Sequence, residues 1–135
     1  MSQNGWIGVD LDGTLAEYNG WQSELHIGKP IPLMIARVKK WLAQGKEIKI
    51  FTARVATKDV GNREAVKQAI ENWCILHIGK KLEITCKKDY QMIELWDDRA
   101  VQVIPNTGKK IEGPEWYENL LENQAVNGET VALYK

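Results

Sequence analysis

The 135-residue chain has no excess of charge of either sign, because 18 Lys and Arg residues balance 18 Asp and Glu residues. Without a net positive charge, no global field draws it onto nucleic acid or an anionic membrane. It also lacks the ~18 consecutive apolar residues of a membrane span and the basic start and apolar run of a secretory signal. We therefore expect one cytoplasmic domain over residues 1–135, with no membrane partner.

Cysteine is scarce, and its placement argues against both a disulfide framework and a cysteine metal site. The two cysteines, Cys74 and Cys86, are far apart and lack metal-ligand spacing. Cys74 falls in the apolar stripe of a predicted helix, and Cys86 falls at the end of a predicted strand. We interpret both as reduced, buried thiols of a cytosolic protein.

Strands and helices are predicted to alternate along the chain. The predicted strands cover residues 6–10, 47–51, 82–85, 93–96 and 101–104. The predicted helices run from Pro32 to Gly45, from after Gly61 to near Gly79, and over 113–124. Residues 16–30 are predicted to form a loop or flap, and residues 126–135 a short strand or a loose tail. This alternation predicts an α/β fold with a parallel sheet covered on both faces.

Two carboxylates follow the first predicted strand, in the segment Val9-Asp10-Leu11-Asp12-Gly13-Thr14-Leu15. Like charges this close repel each other, and the end of a strand is partly desolvated, so a partner must offset the repulsion. A hard divalent cation takes oxygen ligands, and Mg²⁺ is favoured where phosphate is also bound. The segment therefore points to metal-assisted phosphoryl chemistry.

Further polar side chains follow the other predicted strands. Thr52 ends the second strand, Lys87 or Lys88 lies just past the third, and the pair Asp97 and Asp98 ends the fourth. Ligands of open parallel sheets bind beyond the carboxyl ends of the strands. We therefore expect these side chains to converge with Asp10 on one crevice.

These residue types suit the transfer of a phosphoryl group. The carboxylate of Asp10 can attack phosphorus and form an aspartyl-phosphate. Mg²⁺ held by Asp10, Asp97 and Asp98 would neutralise the charge on one side, and a lysine and the Thr52 hydroxyl would hold the remaining oxygens. Asp12, aimed by the turn, could give a proton to the leaving group and take one from water.

Four segments, in this order, resemble the motifs of a known family: Asp10-Leu11-Asp12-Gly13-Thr14, Phe51-Thr52-Ala53-Arg54, a lysine, and Trp96-Asp97-Asp98-Arg99. The family is the haloacid dehalogenase (HAD) superfamily, and the resemblance covers about residues 5–105. It implies a Rossmann-like three-layer sandwich and Mg²⁺-dependent phosphotransfer.

The resemblance also implies a role for each matching residue. Asp10 would be the nucleophile and a metal ligand, and Asp12 would be the acid and base, with its backbone carbonyl also on the metal. Thr52 and the lysine would hold the phosphoryl group, and the pair Asp97 and Asp98 would complete the metal site. An aspartate at position 12 is similar to the phosphatase and phosphomutase pattern.

Two assignments within these motifs stay open. The third-motif lysine is Lys87 or Lys88, and we favour Lys88 because the strand's alternation, continued past Ile84, places it on the inward face. Ala53 and Arg54 are candidate substrate-binding residues beside Thr52, although Arg54 would serve equally well in a structural ion pair. The alternative for Thr52 is a helix-capping hydroxyl.

The spacing between the motifs leaves no room for a cap domain. Capless members of the superfamily are similar in having open sites, which accept bulky or macromolecular substrates or borrow closure from a neighbouring subunit of a homo-oligomer. Tyr18, Trp21 and His26 of the flap could cover the site, although ordinary surface or packing roles are the simpler interpretation.

Three functions follow from this interpretation. The first is a small capless phosphatase that acts on a phosphorylated small molecule. The second is a nucleotide or nucleic-acid 3′-phosphatase, because the motif order resembles the phosphatase domain of polynucleotide kinase. The third is an inactive regulatory module that keeps only the metal site. The intact set of acids favours an enzyme, and turnover of a generic aryl phosphate separates the first two functions from the third.

Overall fold

The structure is a computed structural model that describes residues 5–111. Its four strands, all parallel, form one sheet in the order β3-β2-β1-β4. The strands are β1 (Trp6–Asp10), β2 (Glu47–Phe51), β3 (Glu83–Thr85) and β4 (Met92–Trp96). The helices are α1 (Pro32–Ala43), α2 (Val60–His77) and a short 3₁₀ helix, Ala53–Val55. The predicted α/β class with a parallel sheet is confirmed.

One face of the sheet carries the hydrophobic core. Apolar residues alternate along the strands and stand in register across them, so that they share this face. They are Ile7, Val9, Ile48, Ile50 and Ile84. Both helices contribute to the same core through their buried stripes, which are Met34, Ile35 and Val38 of α1 and Val66, Ile70, Trp73 and Cys74 of α2.

The helix ends follow the local sequence. Pro32 occupies the first turn of α1, where its missing N–H is not needed, and Gly45 follows the helix with a φ of 82°. Helix α2 begins at Val60, slightly earlier than expected, because the Asp59 carboxylate accepts a hydrogen bond from the Asn62 amide and caps the first turn.

The connection from β3 to β4 is short and crosses the whole sheet. These parallel strands lie at opposite edges, so residues 86–91 must pass three strand spacings, ~14 Å, while returning to the start of β4. Trp6 holds this segment at two points. Its indole Nε1 donates to Asp89 Oδ1 at 3.0 Å, and its amide donates to the Gln91 carbonyl at 2.7 Å.

The second face of the sheet carries Trp6 and Lys49 within the described residues. The Lys49 ammonium lies 4.6 Å from the centre of the Trp6 ring and 3.3 Å from a Glu83 carboxylate oxygen. The predicted helix at 113–124 and the predicted strand or tail at 126–135 lie outside residues 5–111.

The chain divides into two compact units, Met1–Asp98 and Arg99–Lys135, so the single domain stays a prediction. In the second unit, the fifth strand predicted at 101–104 is wrong. Val103 forms one isolated antiparallel bridge with Lys110, and the Ile104 amide donates to the Lys109 carbonyl. The turn between them, with Asn106 at a φ of 66°, pairs this apolar run with the residues that follow it.

Candidate active site

Three carboxylates meet at the carboxyl ends of β1 and β4. Because these strands are adjacent and parallel, Asp10 at the end of β1 lies beside Asp97 and Asp98, which follow β4. One oxygen from each carboxylate lies within 4.8 Å of the other two. The convergence predicted for these acids is therefore present in the structure.

The turn after β1 requires glycine at position 13. Gly13 has a φ of 90°, and a Cβ atom there would lie 2.5 Å from Asp98 Oδ2. The turn is fixed by its own backbone, because Leu11 O accepts from the Ala16 amide and Ala16 O accepts from the Gly13 amide, both at 2.8 Å. The glycine thus lets the Asp98 carboxylate approach the β1 turn closely.

Thr14 joins the two strand ends through its hydroxyl group. Its Oγ1 accepts from the Asp98 amide at 2.9 Å and lies 3.3 Å from Asp10 Oδ2 and 3.2 Å from Asp98 Oδ1. A hydroxyl has one proton to donate, so it serves one of the two carboxylates at a time. Thr14 was predicted only as part of the first motif, with no role of its own, although its place four residues after Asp10 was the available signal.

Burial and the neighbouring carboxylates together raise the pKa of Asp10 to about 7. Burial is the largest cause, followed by a side-chain hydrogen bond with Asp98 and the negative charges of Asp97 and Asp98, while the Thr14 hydrogen bond acts in the opposite direction. A cation among the three carboxylates would offset the repulsion that disfavours the charged form of Asp10.

The oxygen atoms at this site are the ligand type that a hard divalent cation takes. The three carboxylates supply oxygen only, which is the ligand type that Mg²⁺ takes. The backbone carbonyl of Asp12 also accepts no hydrogen bond from any residue in 5–111, whereas the Leu11 carbonyl before it accepts from three amides. The Asp12 carbonyl is therefore left with its lone pairs available.

The Asp12 side chain forms a two-point ion pair with Arg54. Arg54 Nε donates to Asp12 Oδ2 and Arg54 Nη2 donates to Asp12 Oδ1, each at 2.8 Å. The same guanidinium reaches the flap, where Nη1 donates to the carbonyls of Glu24 at 2.9 Å and Ser23 at 3.4 Å. Its carbon lies 5.1 Å from the centre of the Trp21 ring. Of the two roles left open for Arg54, the structure contains the ion pair.

Thr52, directly after β2, is buried, with 2% of its surface exposed. Its amide donates to the Thr85 carbonyl at 2.9 Å, which extends the pairing of β2 with β3. Its Oγ1 accepts from the Arg54 amide at 3.2 Å and caps the 3₁₀ helix. The capping role is therefore present, and the hydroxyl proton donates to no acceptor among the described residues.

The structure does not bring the predicted lysine to the acids. Strand β3 ends at Thr85, whose Oγ1 accepts from the Lys87 amide at 3.1 Å. The alternation that favoured Lys88 therefore ends before it reaches that residue. Lys87 and Lys88 are both exposed, and neither forms an ion pair with Asp10 or another acid within residues 5–111. The third-motif assignment stays a prediction.

Residues 17–29 of the flap line an open cavity of about 320 Å³ beside Asp12. The Glu17 amide donates to the Lys29 carbonyl at 2.8 Å and closes the base of the flap. Trp73 Nε1 of α2 donates to the Gly28 carbonyl at 2.9 Å. The polar lining of the cavity comprises Asp12, Glu17, Tyr18, Asn19, Gln22, His26, Lys29 and Arg54.

Comparisons with known proteins support the fold. No family model and no curated protein matches the chain. A solved structure, described as a conserved protein coded by a locus of Bacteroides thetaiotaomicron, is similar to it with a TM-score of 0.51 and 19% sequence identity. The match covers 95% of this chain and 94% of that one. At this identity the likeness is evidence for the fold alone.

Proposed function

We propose that the protein is a Mg²⁺-dependent phosphatase that hydrolyses phosphoric monoesters through an aspartyl-phosphate on Asp10. The observation that carries the proposal is the cluster of Asp10, Asp97 and Asp98, with one oxygen of each within 4.8 Å of the others. Asp12 follows Asp10 by two residues and is the candidate acid and base. The resemblance to the HAD superfamily gives the same roles.

The metal would be held by the carboxylates of Asp10, Asp97 and Asp98 and by the Asp12 carbonyl. When bound, Mg²⁺ supplies positive charge to the phosphoryl oxygens and to the attacking carboxylate. Charge balance supports this assignment, because burial, and after it the neighbouring Asp97 and Asp98, raise the pKa of Asp10 to about 7 when no cation offsets them. A nucleophile must be ionised at neutral pH, and a nearby cation favours the ionised form.

The reaction takes place in two displacements. An oxygen of the Asp10 carboxylate forms a bond to phosphorus while the bond from phosphorus to the ester oxygen breaks, and Asp12, which must first take up a proton and free one oxygen from Arg54, gives that proton to the ester oxygen. Water then attacks the phosphorus of the aspartyl-phosphate and loses a proton to Asp12. The bond between phosphorus and Asp10 breaks, which releases phosphate and restores both carboxyl groups.

Donors near Asp10 support binding of the phosphoryl group. The hydroxyl proton of Thr52 and the Ala53 amide both lack acceptors among residues 5–111, so both remain available to an incoming oxyanion. The proposal keeps Lys88 as the cation of the phosphoryl site, with Lys87 as its alternative. Either lysine must turn towards Asp10 when substrate binds.

The cysteines support the proposed cytoplasmic location. Both are free thiols, which suit a reducing compartment; Cys74 is buried as expected, whereas Cys86 is only half-buried. Burial raises the pKa of the Cys74 thiol to about 12, so Cys74 is an inert core residue. Among residues 5–111, no helix is long and apolar enough to cross a membrane.

A phosphate-release screen with Mg²⁺ tests the proposal. The panel contains an aryl phosphate, sugar phosphates, nucleotides and 3′-phosphorylated oligonucleotides, so that it also tests the nucleic-acid alternative. The wild type should release phosphate, Asp10→Asn should release none, and Asp59→Asn should match the wild type because asparagine retains the α2 cap. Release by Asp10→Asn at the wild-type rate would remove Asp10 as nucleophile. No release from any substrate would favour the regulatory module.

A further inference from the structure

Arg54 links the flap to the Asp12 side chain. Only 6% of its side chain is exposed, although arginine is among the residues most often found at the surface. On one side it contacts the Asp12 carboxylate, and on the other it contacts the flap tip, residues 21–24. A buried arginine that joins a loop to a candidate acid has more than a packing role.

The hydrogen bonds of the guanidinium are divided between these two partners. Nε and Nη2 each donate to one oxygen of Asp12, and Nη1 donates to the carbonyls of Glu24 and Ser23. The guanidinium is planar and rigid, so its donors point in fixed directions. The direction of the Asp12 carboxylate and the position of the flap tip are therefore set by one rigid group.

The flap tip depends on this group. The base of the flap is held elsewhere, by the Glu17–Lys29 backbone pair and by Trp73. Within the part of the chain that the structure describes, the hydrogen bonds that join residues 21–24 to other elements are those from Arg54. Release of Arg54 would therefore free the tip and leave the base in place.

We propose that Arg54 is a positioning residue that couples closure of the flap to the orientation of Asp12. The inference rests on the proposed function, because Asp12 must be the proton donor for the coupling to affect turnover. With the tip docked, Arg54 holds the ionised Asp12 carboxylate in a fixed plane beside the cavity. When Asp12 takes up a proton, the protonated oxygen leaves the fork, and the other oxygen stays on Arg54 and keeps the orientation of the acid. Flap closure over a substrate and alignment of the acid are then one event.

The coupling has a kinetic signature that general loosening lacks. An alkoxide leaving group needs the proton of Asp12, whereas a nitrophenolate leaves without one. Arg54→Lys keeps the charge but loses the two-point fork. We expect it to lower kcat/KM at least tenfold more for an alkyl phosphate than for a nitrophenyl phosphate. Equal losses on the two substrates would overturn the inference.

A second measurement does not depend on activity. Chymotrypsin cleaves after aromatic residues such as Trp21, and cleavage of a locally opened segment follows the population of its open form. Arg54→Lys and Asp12→Asn should each be cleaved after Trp21 about tenfold faster than the wild type, the scale expected for loss of a charged hydrogen bond. Urea unfolding identifies any variant that is globally unstable.

Arg63→Lys is the matched control, because Arg63 Nη1 donates to the Thr57 carbonyl at 2.8 Å, outside the flap. It should match the wild type in both measurements. Cleavage after Trp21 at the wild-type rate in folded Asp12→Asn would overturn the coupling. A wild type without phosphatase activity would instead remove the proposed function, and the cleavage rates would still decide whether Asp12 holds the flap.

Discussion

At the scale of single residues, Asp10 predicts how stability depends on pH. Its pKa rises from 3.8 to about 7 on folding, so the folded state holds a proton that the unfolded state has lost between these values. This contribution to stability is complete below about pH 4 and is lost as the pH rises through 7. Asparagine at position 10 cannot lose a proton. In EDTA, Asp10→Asn should therefore gain stability relative to the wild type from pH 5 to pH 8.

Urea unfolding at the two pH values measures this gain. The informative quantity is the difference in free energy of unfolding between variant and wild type, because groups that titrate independently of position 10 cancel in it. Saturating Mg²⁺ should abolish the advantage of the variant at pH 8. The same difference at pH 5 and pH 8 in EDTA would contradict the electrostatic account of the cluster.

Gly13 predicts a link between backbone conformation and metal binding. In Gly13→Ala, the new Cβ would lie 2.5 Å from Asp98 Oδ2, and the residue would keep a φ of 90°. We expect this strain to lower the free energy of unfolding by about 1–3 kcal/mol. We also expect weaker stabilisation by Mg²⁺, because the Cβ displaces the Asp98 carboxylate. Gly20→Ala is the matched control, because Gly20 has a φ of 115° but nothing within 4 Å of its Cβ position. Thermal unfolding with and without Mg²⁺ measures both effects, and equal Mg²⁺ responses would contradict the account.

The sequence predicted which acids meet but not every contact around them. Asp10, Asp97 and Asp98 could be placed together because strand ends share one edge of a parallel sheet. The Asp12–Arg54 ion pair spans 42 positions and depends on side-chain directions that no local pattern specifies. The Lys88 assignment relied on the strand's alternation continuing past Ile84. The strand ends at Thr85 instead, where the hydroxyl oxygen accepts a hydrogen bond from the Lys87 amide.

At the scale of elements, the contact between Trp73 of helix α2 and the base of the flap predicts that the helix stabilises the flap. Trp73→Phe keeps an aromatic ring in the core but loses the donor to the Gly28 carbonyl, which should cost about 1 kcal/mol. The flap should then be cleaved faster by chymotrypsin after Tyr18. Trp41→Phe is the control, since that ring packs against Trp96 at 5.1 Å, away from the flap. Equal cleavage rates in the two variants would contradict this role of Trp73.

Strands and helices could be predicted where apolar residues recur along the chain with the period of a strand or a helix. The apolar positions of β1, β2, α1 and α2 repeat with the period of their element and all face one core. The apolar run at 101–104 pairs instead with residues 109–111 across a turn. The crossing at residues 86–91 follows from strand order, which periodicity does not specify.

At the scale of the whole molecule, strand order determines where the acids meet. Because β4 lies against β1 rather than against β3, the acids after β4 adjoin Asp10. If they hold a cation, the folded state should be stabilised by mass action, by about 1.4 kcal/mol at a tenfold excess of Mg²⁺ over its dissociation constant. Thermal unfolding should shift upward with Mg²⁺ in the wild type and much less in Asp98→Asn. An equal shift in both would contradict the proposed site.

The most direct test is to trap the phosphoryl group on Asp10. The enzyme is mixed with Mg²⁺ and a substrate from the screen, quenched in acid within one turnover, digested and analysed by mass spectrometry. We predict one phosphoryl group on the peptide that contains Asp10, and none in Asp10→Asn. Turnover by the wild type without a phosphoryl group on Asp10, or undiminished turnover by Asp10→Asn, would contradict the account.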